Sequence, residues 1–309
     1  MPQIKTCVIY HYFEANATYA KNFKHFLTFG TSIDADIFCI ISERCSFKLP
    51  RIKNVYYLYT KNHNYDYGAY AWALDKEIPI QDYEYFVFVN SSIRGPYLPS
   101  YTSTPWTLPF IEKLSNEIGL VGSSITILQG HTQFEKDFKH QGASSHVQSM
   151  VYAIKKNHLK FLIKKGLFKR DLTLSKDELI SRYEIAMSHH TLQHGLNIQC
   201  LLPEYNSIDY RKPHHEINPT AHNGDSQFPH AYFGRTPHPY EVIFIKTNRK
   251  LWPEYYLDSL SYAMLRSGHY QNHAHLDLSV KHFLKEKHKN ELKFQWMLFI
   301  KSLIRKIRH

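Results

Sequence analysis

Cysteine is scarce in this chain: Cys7, Cys39, Cys45 and Cys200 are the only four in 309 residues, and none stands in CxxC spacing. That scarcity argues against a zinc module or a disulfide scaffold and fits thiols buried in a reducing compartment. Long apolar runs are missing too. No stretch reaches the roughly 18 apolar residues of a membrane-spanning helix. The opening MPQIKTCVIYHYF also lacks the basic stretch and long apolar core of a secretory leader. The expectation is a cytoplasmic chain. Acidic side chains are few, 27 Asp and Glu against 38 Lys and Arg, for a formal net charge of +11. Such an excess favours polyanionic partners: nucleic acid, anionic lipid or phosphorylated substrates. It is uneven as well, since from Leu276 to His309 nine Lys or Arg face three Asp or Glu, which points to a function of the tail.

What is present reads as a folded protein, because 43% apolar and 21% charged residues exclude a disordered chain. KTCVIYHYF reads as a strand, ATYAKNFKHFLTFG as a helix closed by Gly30, and ADIFCIISE and NVYYLYT as strands. NHNYDYGAY leads into a helix through Ala71 to Lys76, and EYFVFVN follows as a strand. Further on, IGLVGSSITIL reads as strand and loop, and SSHVQSMVYAIKKNHLKFLIKK as a helix with an extension. SKDELISRYEIAMSHHTLQHG reads as a helix ending at Gly195, LNIQCLLP and HPYEVIFIKTNR as strands, and LWPEYYLDSLSYAMLRSG as a helix. Strands alternating with helices over short connections predict the α/β class, a mostly parallel sheet flanked by helices on both faces. The expected division is one domain over residues 1–250 and a helical, basic C-terminal extension over 251–309. Within the first, residues 204–237, rich in Pro, His, Asn, Gly and Asp, form a long irregular loop or lid.

Chemistry is expected first at YFVFVNSSIRGP, Tyr85 to Pro96, where an apolar strand runs into small polar residues and one arginine. Open α/β sheets place their ligands at such strand ends. The 21 histidines suggest metal, and His190 and His194 share a helix face at i and i+4, but no HExxH or other full ligand set accompanies them. No metal site is therefore assigned. His214, His215, His222, His230 and His238 belong to an acceptor-binding loop or to solvent. Lys246 and Arg249 are either phosphate ligands or residues of a solvated strand edge.

Three stretches in order resemble glycosyltransferases of the GT-A fold, which use nucleotide-sugar donors. NYDYGAYAWAL stands at their turn before a helix, and FVFVNSS at the strand that in the commonest bacterial members ends in Asp-x-Asp. YEIAMSHHTLQHGLNI stands at their acidic helix. DYGAY, NSSIRGP, HVQSM and YE-x-x-x-S further resemble signatures of the rhamnan-synthesis protein F family and related O-antigen and capsule glycosyltransferases. The likeness implies a GT-A-like, Rossmann-like fold. It also implies sugar transfer, with a UDP-hexose the commonest donor, to a lipid-linked, lipopolysaccharide or capsule glycan.

Roles follow from that likeness. Glu184 is the expected general base, taking the acceptor hydroxyl's proton in an inverting transfer; a solvated helical carboxylate or an ion pair with Arg182 is the alternative. Asp66 accepts hydrogen bonds from sugar or ribose hydroxyls, or caps the helix behind it. Asn64 belongs to the same donor-binding turn, and Gly68 lets the donor approach the backbone. Asn90, Ser91 and Ser92 stand in place of Asp-x-Asp; they are poor ligands for a hard cation and hydrogen-bond the donor instead. Arg94 supplies the positive charge a metal would bring, or faces solvent from a turn. A divalent metal stays open as a cofactor. His11, Tyr12 and Glu43 close the first two strands, where this fold receives the nucleoside. His146, Gln148 and Ser149 begin a helix that contacts donor or acceptor, unless Ser144 or Ser145 simply caps it.

The tail FQWMLFIKSLIRKIRH combines apolar and basic residues at helical spacing, which suits an interfacial helix on an anionic leaflet. That predicts a peripheral protein on the inner face of the cytoplasmic membrane; docking on the domain or on another protomer is the alternative. Two rival functions remain at this stage. A nucleic-acid-binding protein fits the charge, but the aromatics cluster in apolar runs without interleaved Lys and Arg, so nucleic acid is not an expected partner. A non-catalytic assembly partner that keeps the fold fits the missing Asp-x-Asp.

Overall fold

The computed structural model of this protein describes residues 5–31, 33–127, 145–169, 173–266, 292–293 and 295–297. Seven strands form the central sheet: β1 (Thr6–Phe13), β2 (Asp36–Ser42), β3 (Val55–Thr60), β4 (Tyr85–Asn90), β5 (Ile118–Gly122), β6 (Val151–Lys155) and β7 (Asn197–Cys200). Their spatial order is β7-β5-β6-β4-β1-β2-β3. All pairings are parallel except those of β6, which runs antiparallel between β4 and β5. This is the mostly parallel α/β sheet, flanked by helices, that the alternation predicted.

Period-2 alternation divides the core. From β1, Cys7 and Ile9 face one side with Phe38, Ile40, Phe86 and Phe88, under helix α2 (Tyr65–Lys76). Val8, Tyr10 and Tyr12 face the other with Ile37, Cys39, Ile41, Val87 and Val89, under helix α1 (Ala17–His25). A sheet covered on both faces requires strands that are apolar throughout, which is why β1, β2 and β4 read as continuous runs. Asn16 caps α1, its side chain accepting from the amides of Thr18 and Tyr19.

The helix expected from SSHVQSM onward does not form. His146–Val147 is a short strand, Val151–Lys155 is β6, and only Lys156–Lys164 is helical, as α3. Val151, Tyr152, Ala153 and Ile154 are all buried between two neighbouring strands, so the run has no exposed face and shows no strand period. HPYEVIFIKTNR differs as well. Its start is a short helix, Pro239–Val242, with His238 and Glu241 forming a capping box, and only Ile245–Lys246 is extended. Ile243 between them, at φ 62, breaks the run.

The acidic helix, α4, is continuous through Lys176–Leu179, a wider π turn at Ile180–Ile185 and Ala186–Gln193, with Gly195 beyond its end at φ +83. Segment 204–237 packs its own side chains inward: Asn218, Ser226, Gln227, Tyr205 and Tyr232 are buried. Gly224 (φ +74) is required there, since a Cβ would stand 1.9 Å from the Ile127 carbonyl oxygen. Helix α5 (Glu254–Arg266) forms within the expected LWPEYYLDSLSYAMLRSG run and starts directly after Pro253. No helix among the described residues is long and apolar enough to cross a membrane. The tail FQWMLFIKSLIRKIRH, where an interfacial helix was expected, lies almost wholly outside the described residues.

Candidate active site

Strands β1 and β4 are parallel neighbours, His11 lying opposite Asn90, while the sheet continues to β2 and β3 beyond β1 and to β6, β5 and β7 beyond β4. A strand-order reversal of this kind leaves a crevice at the carboxyl ends, because the flanking loops turn to opposite faces. A cavity of ≈ 550 Å³ occupies it. Its walls are His11 and Phe13 from β1, Asn90, Ser91 and Ser92 after β4, Asp66 and Tyr67 from α2, Ser149 before β6, Lys176 and Glu184 from α4, and Lys246 and Arg249 beyond the last strand.

Two carboxylates meet there. Asp66 Oδ2 accepts from Asn90 Nδ2 at 2.9 Å and Oδ1 from the Tyr67 amide at 3.2 Å. Burial pushes the Asp66 carboxyl up to about 6, opposed by the Asn90 hydrogen bond and reinforced by the negative charge of Glu184. Because the folded value exceeds the unfolded one, folding favours protonated Asp66, and wild-type stability falls as pH rises from about 4 to about 6. Asp66→Asn removes that cost. Its stability relative to wild type is expected to rise by about 2 kcal/mol between pH 4 and pH 7 in denaturant titrations.

Glu184 sits in the π turn, and its Oε1 accepts from the Ser149 amide at 2.8 Å. Arg182 pairs with Glu178 at 4.0 Å instead of Glu184, so the ion-pair alternative for Glu184 is not what the fold uses. Asp66 does not cap its helix: Asn64 holds the N-cap position at φ 55, and its Oδ1 accepts from the Leu174 amide at 2.9 Å.

The remaining predicted residues divide. His11, Asn90, Ser91, Ser92 and Ser149 line the cavity with Asp66 and Glu184. The polar loop is internally bonded: Asn90 Oδ1 accepts from the Ser92 hydroxyl at 2.6 Å and the Ser92 amide at 3.1 Å, and Ser91 Oγ accepts from the Phe13 amide at 3.2 Å. Tyr12 is a correction. One residue beyond His11, it points to the opposite face, where its ring stacks on Phe23 at 4.4 Å. Glu43 stands outside the cavity and accepts from the Asn62 amide at 2.7 Å. Gln148 is buried behind it, bonded to Ser124 and Thr126, and His146 is buried in its own short strand. Gly68 does not face the cavity; a Cβ there would meet the His63 carbonyl oxygen at 1.7 Å.

Arg94 departs furthest from expectation. It is 3% exposed, Nη1 donating to Glu254 at 2.8 Å and Nε to Asn22 Oδ1 at 3.0 Å, with Asp258 at 3.8 Å. It belongs neither to the cavity nor to solvent but to a junction tying α5 to α1. Asn22 also donates to the Ser91 carbonyl at 3.0 Å and to Thr247 Oγ1 at 2.8 Å, so that junction underpins the cavity floor. Arg94→Met is expected to cost about 2 kcal/mol of stability in urea titrations, since it leaves buried Asn22 Oδ1 without its donor and half-exposed Glu254 with Lys21 alone.

The cations facing the cavity are Lys176, Lys246 and Arg249. Lys176 carries no sequence signal, since a lysine opening a helix reads as a solvated residue. Arg249 pairs with Asp225, donates to the Gln227 carbonyl at 3.0 Å and lies over the Phe228 ring at 4.0 Å. A divalent cation is poorly served at the end of β4, and the cavity's two carboxylates, Asp66 and Glu184, already accept from Asn90 and the Ser149 amide. The strand end offers an amide oxygen and hydroxyls already engaged with one another, and three cationic side chains oppose a further positive charge. Among the described residues no group of three or more His, Cys, Asp or Glu side chains is arranged to hold a metal ion.

Taken together, the fold and cavity define an α/β protein with a ligand crevice at its topological switch point. No protein-family description matches the chain. No curated protein matches it either. Among solved structures, a glycosyltransferase involved in glycosylation of the major capsid of the virus PBCV-1 is 14% identical, with a TM-score of 0.30, over 58% of this chain and 75% of that one. A mutant Drosophila beta-1,4-galactosyltransferase 7, in complex with manganese, UDP-Gal and xylobiose, is 9% identical with a TM-score of 0.33, over 64% of this chain and 65% of that one. HddC from Yersinia pseudotuberculosis is 12% identical with a TM-score of 0.29, over 52% of this chain and 80% of that one. Likenesses this low place no residue of this chain in a role.

Proposed function

We propose that this chain is a glycosyltransferase that moves a sugar, a hexose on our reading, from a nucleotide donor, UDP foremost, to a glycan acceptor. The observation that carries the proposal is the crevice at the ends of β1 and β4, where two carboxylates, Asp66 and Glu184, share one cavity with three cationic side chains. A nucleotide sugar needs both: a base for the incoming hydroxyl and positive charge for the departing diphosphate. Glu184 takes the acceptor hydroxyl's proton as that oxygen bonds to the anomeric carbon, and the bond from that carbon to the diphosphate oxygen breaks, its electrons leaving with the diphosphate. Attack opposite the leaving group inverts the anomeric centre. Asp66, braced by Asn90, receives sugar or ribose hydroxyls, and His11 stands where the nucleoside enters.

The acceptor on this reading is a lipid-linked, lipopolysaccharide or capsule glycan, and the basic tail brings the enzyme to the inner face of the cytoplasmic membrane. Calorimetry against UDP, GDP and short oligonucleotides tests the core of the proposal. Binding of one nucleoside diphosphate without oligonucleotide binding is the expected result; the reverse pattern refutes it. For the tail, flotation with anionic liposomes is expected to fall on deletion of residues 290–309, and unchanged flotation removes the membrane claim.

A further inference from the structure

We infer that Lys176, Lys246 and Arg249 form the anion site of this cavity and hold the leaving diphosphate without a divalent cation. The inference rests on the transferase reading for the identity of the anion, but its geometry stands alone. Ile245–Lys246 pairs antiparallel with Ile93–Arg94, and the Thr247 amide donates to the Ser92 carbonyl at 3.3 Å. That short ladder clamps Lys246 against the polar loop that ends β4. Its ammonium makes no hydrogen bond or close ion pair with any described residue, although Asp225, Arg249, Glu184 and Lys176 lie within its electrostatic reach. Lys246 is partly buried at the cavity wall, and that burial lowers its pKa, with Asp225 opposing the shift. Lys176 opens α4 at the same cavity and is likewise unbonded to any described residue.

Arg249 is placed differently. Asp225 grips its Nη1 and the Phe228 ring lies against its guanidinium plane, so it arrives pre-oriented with donors to spare. Asp66 and Glu184 offset part of the positive field, and Asp225 lies behind Arg249. Two unbonded ammoniums and one fixed guanidinium converging on one cavity suit a compact polyanion, where each charge-assisted hydrogen bond strengthens as negative charge grows on the leaving oxygens. The positive charge that the sequence assigned to Arg94 is thus supplied by residues 82 to 155 positions further along the chain.

The test is calorimetry on the full chain with inorganic pyrophosphate, UDP and GDP, each in EDTA and in manganese chloride. Pyrophosphate and one nucleotide are expected to bind in EDTA, less tightly as salt is raised. Lys246→Met and Lys176→Met are each expected to weaken both ligands by about 10- to 100-fold, with Lys246→Arg close to wild type. Arg249→Met leaves Asp225 unpaired, so the two lysine variants, checked for an unchanged melting temperature, carry the decision. Nucleotide binding that needs manganese and ignores Lys246→Met overturns the inference and leaves the transferase reading intact. Pyrophosphate binding without either nucleotide upholds the anion site and overturns the transferase reading. No binding of any of the three in either buffer overturns both.

Discussion

Glu184→Gln is expected to lower turnover by about a hundred- to ten-thousand-fold while leaving the fold and nucleotide affinity in place. The substitution keeps an oxygen where Oε1 accepts the Ser149 amide at 2.8 Å, so the link between α4 and the approach to β6 survives. What disappears is the capacity to take a proton. Removal of a negative charge beside Asp66 and Lys246 also shifts both titrations. The Asp66 pKa is expected to fall in the variant, because one of the two causes that raise it is gone. Turnover measured with saturating donor, alongside UDP affinity and melting temperature, separates the outcomes. Near-normal turnover in a folded variant removes Glu184 from the role of base and leaves Asp66, the other carboxylate of the cavity, as the candidate.

Gly68→Ala is expected to destabilise the protein by about 3–5 kcal/mol, a large share of the 5–15 kcal/mol typical of folded domains. Asn64 and Tyr65 are both in left-handed backbone, at φ 55 and φ 54, and this folds the chain so that the His63 carbonyl lies over the first turn of α2. The Gly68 amide donates to the Asn64 carbonyl at 3.1 Å, and a Cβ on Gly68 would stand 1.7 Å from the His63 oxygen. Backbone meets backbone there, with no flexible side chain to yield. Relief requires shifting the start of α2, which carries Asp66 and Tyr67 into the cavity, so ligand affinity is expected to fall as well. A urea midpoint equal to wild type would refute the account. Glycine thus serves the turn that positions Asp66, a different use from the close donor approach that the sequence suggested.

Much of the architecture was legible because its signals are local. Runs such as TCVIYHYF and YFVFVN are apolar throughout, as strands covered on both faces must be, and Gly30, Pro253 and Gly195 mark helix ends. The strand end at Asn90 to Ser92 could be nominated because the α/β class itself says where such ends converge, while His11 and Asp66 were found from their places in a likeness. Glu184 was found from its place in a likeness, and the fold brings it into the same cavity. Val151–Lys155 was misread because Met150, Val151 and Ile154 repeat at a spacing that a helix also satisfies, and only the flanking strands β4 and β5 decide between the two.

Side-chain destination was the part hidden from sequence. Tyr12 and His11 are adjacent and look equivalent, yet the pleat sends them to opposite faces. Arg94 lies just past the polar turn at the crevice, but α5, more than 150 residues later, presents Glu254 and draws the guanidinium away. Lys246 and Arg249 are brought in by a two-residue ladder to Ile93–Arg94, a pairing with no sequence periodicity to announce it. The amino-acid sequence by itself therefore determined the α/β class, the order of most elements and the strand ends where chemistry belongs, since these follow from short-range hydrophobic pattern and turn residues. Only the tertiary structure decided which cations face the cavity and which are consumed as ties between helices, because that choice depends on partners far apart in the chain.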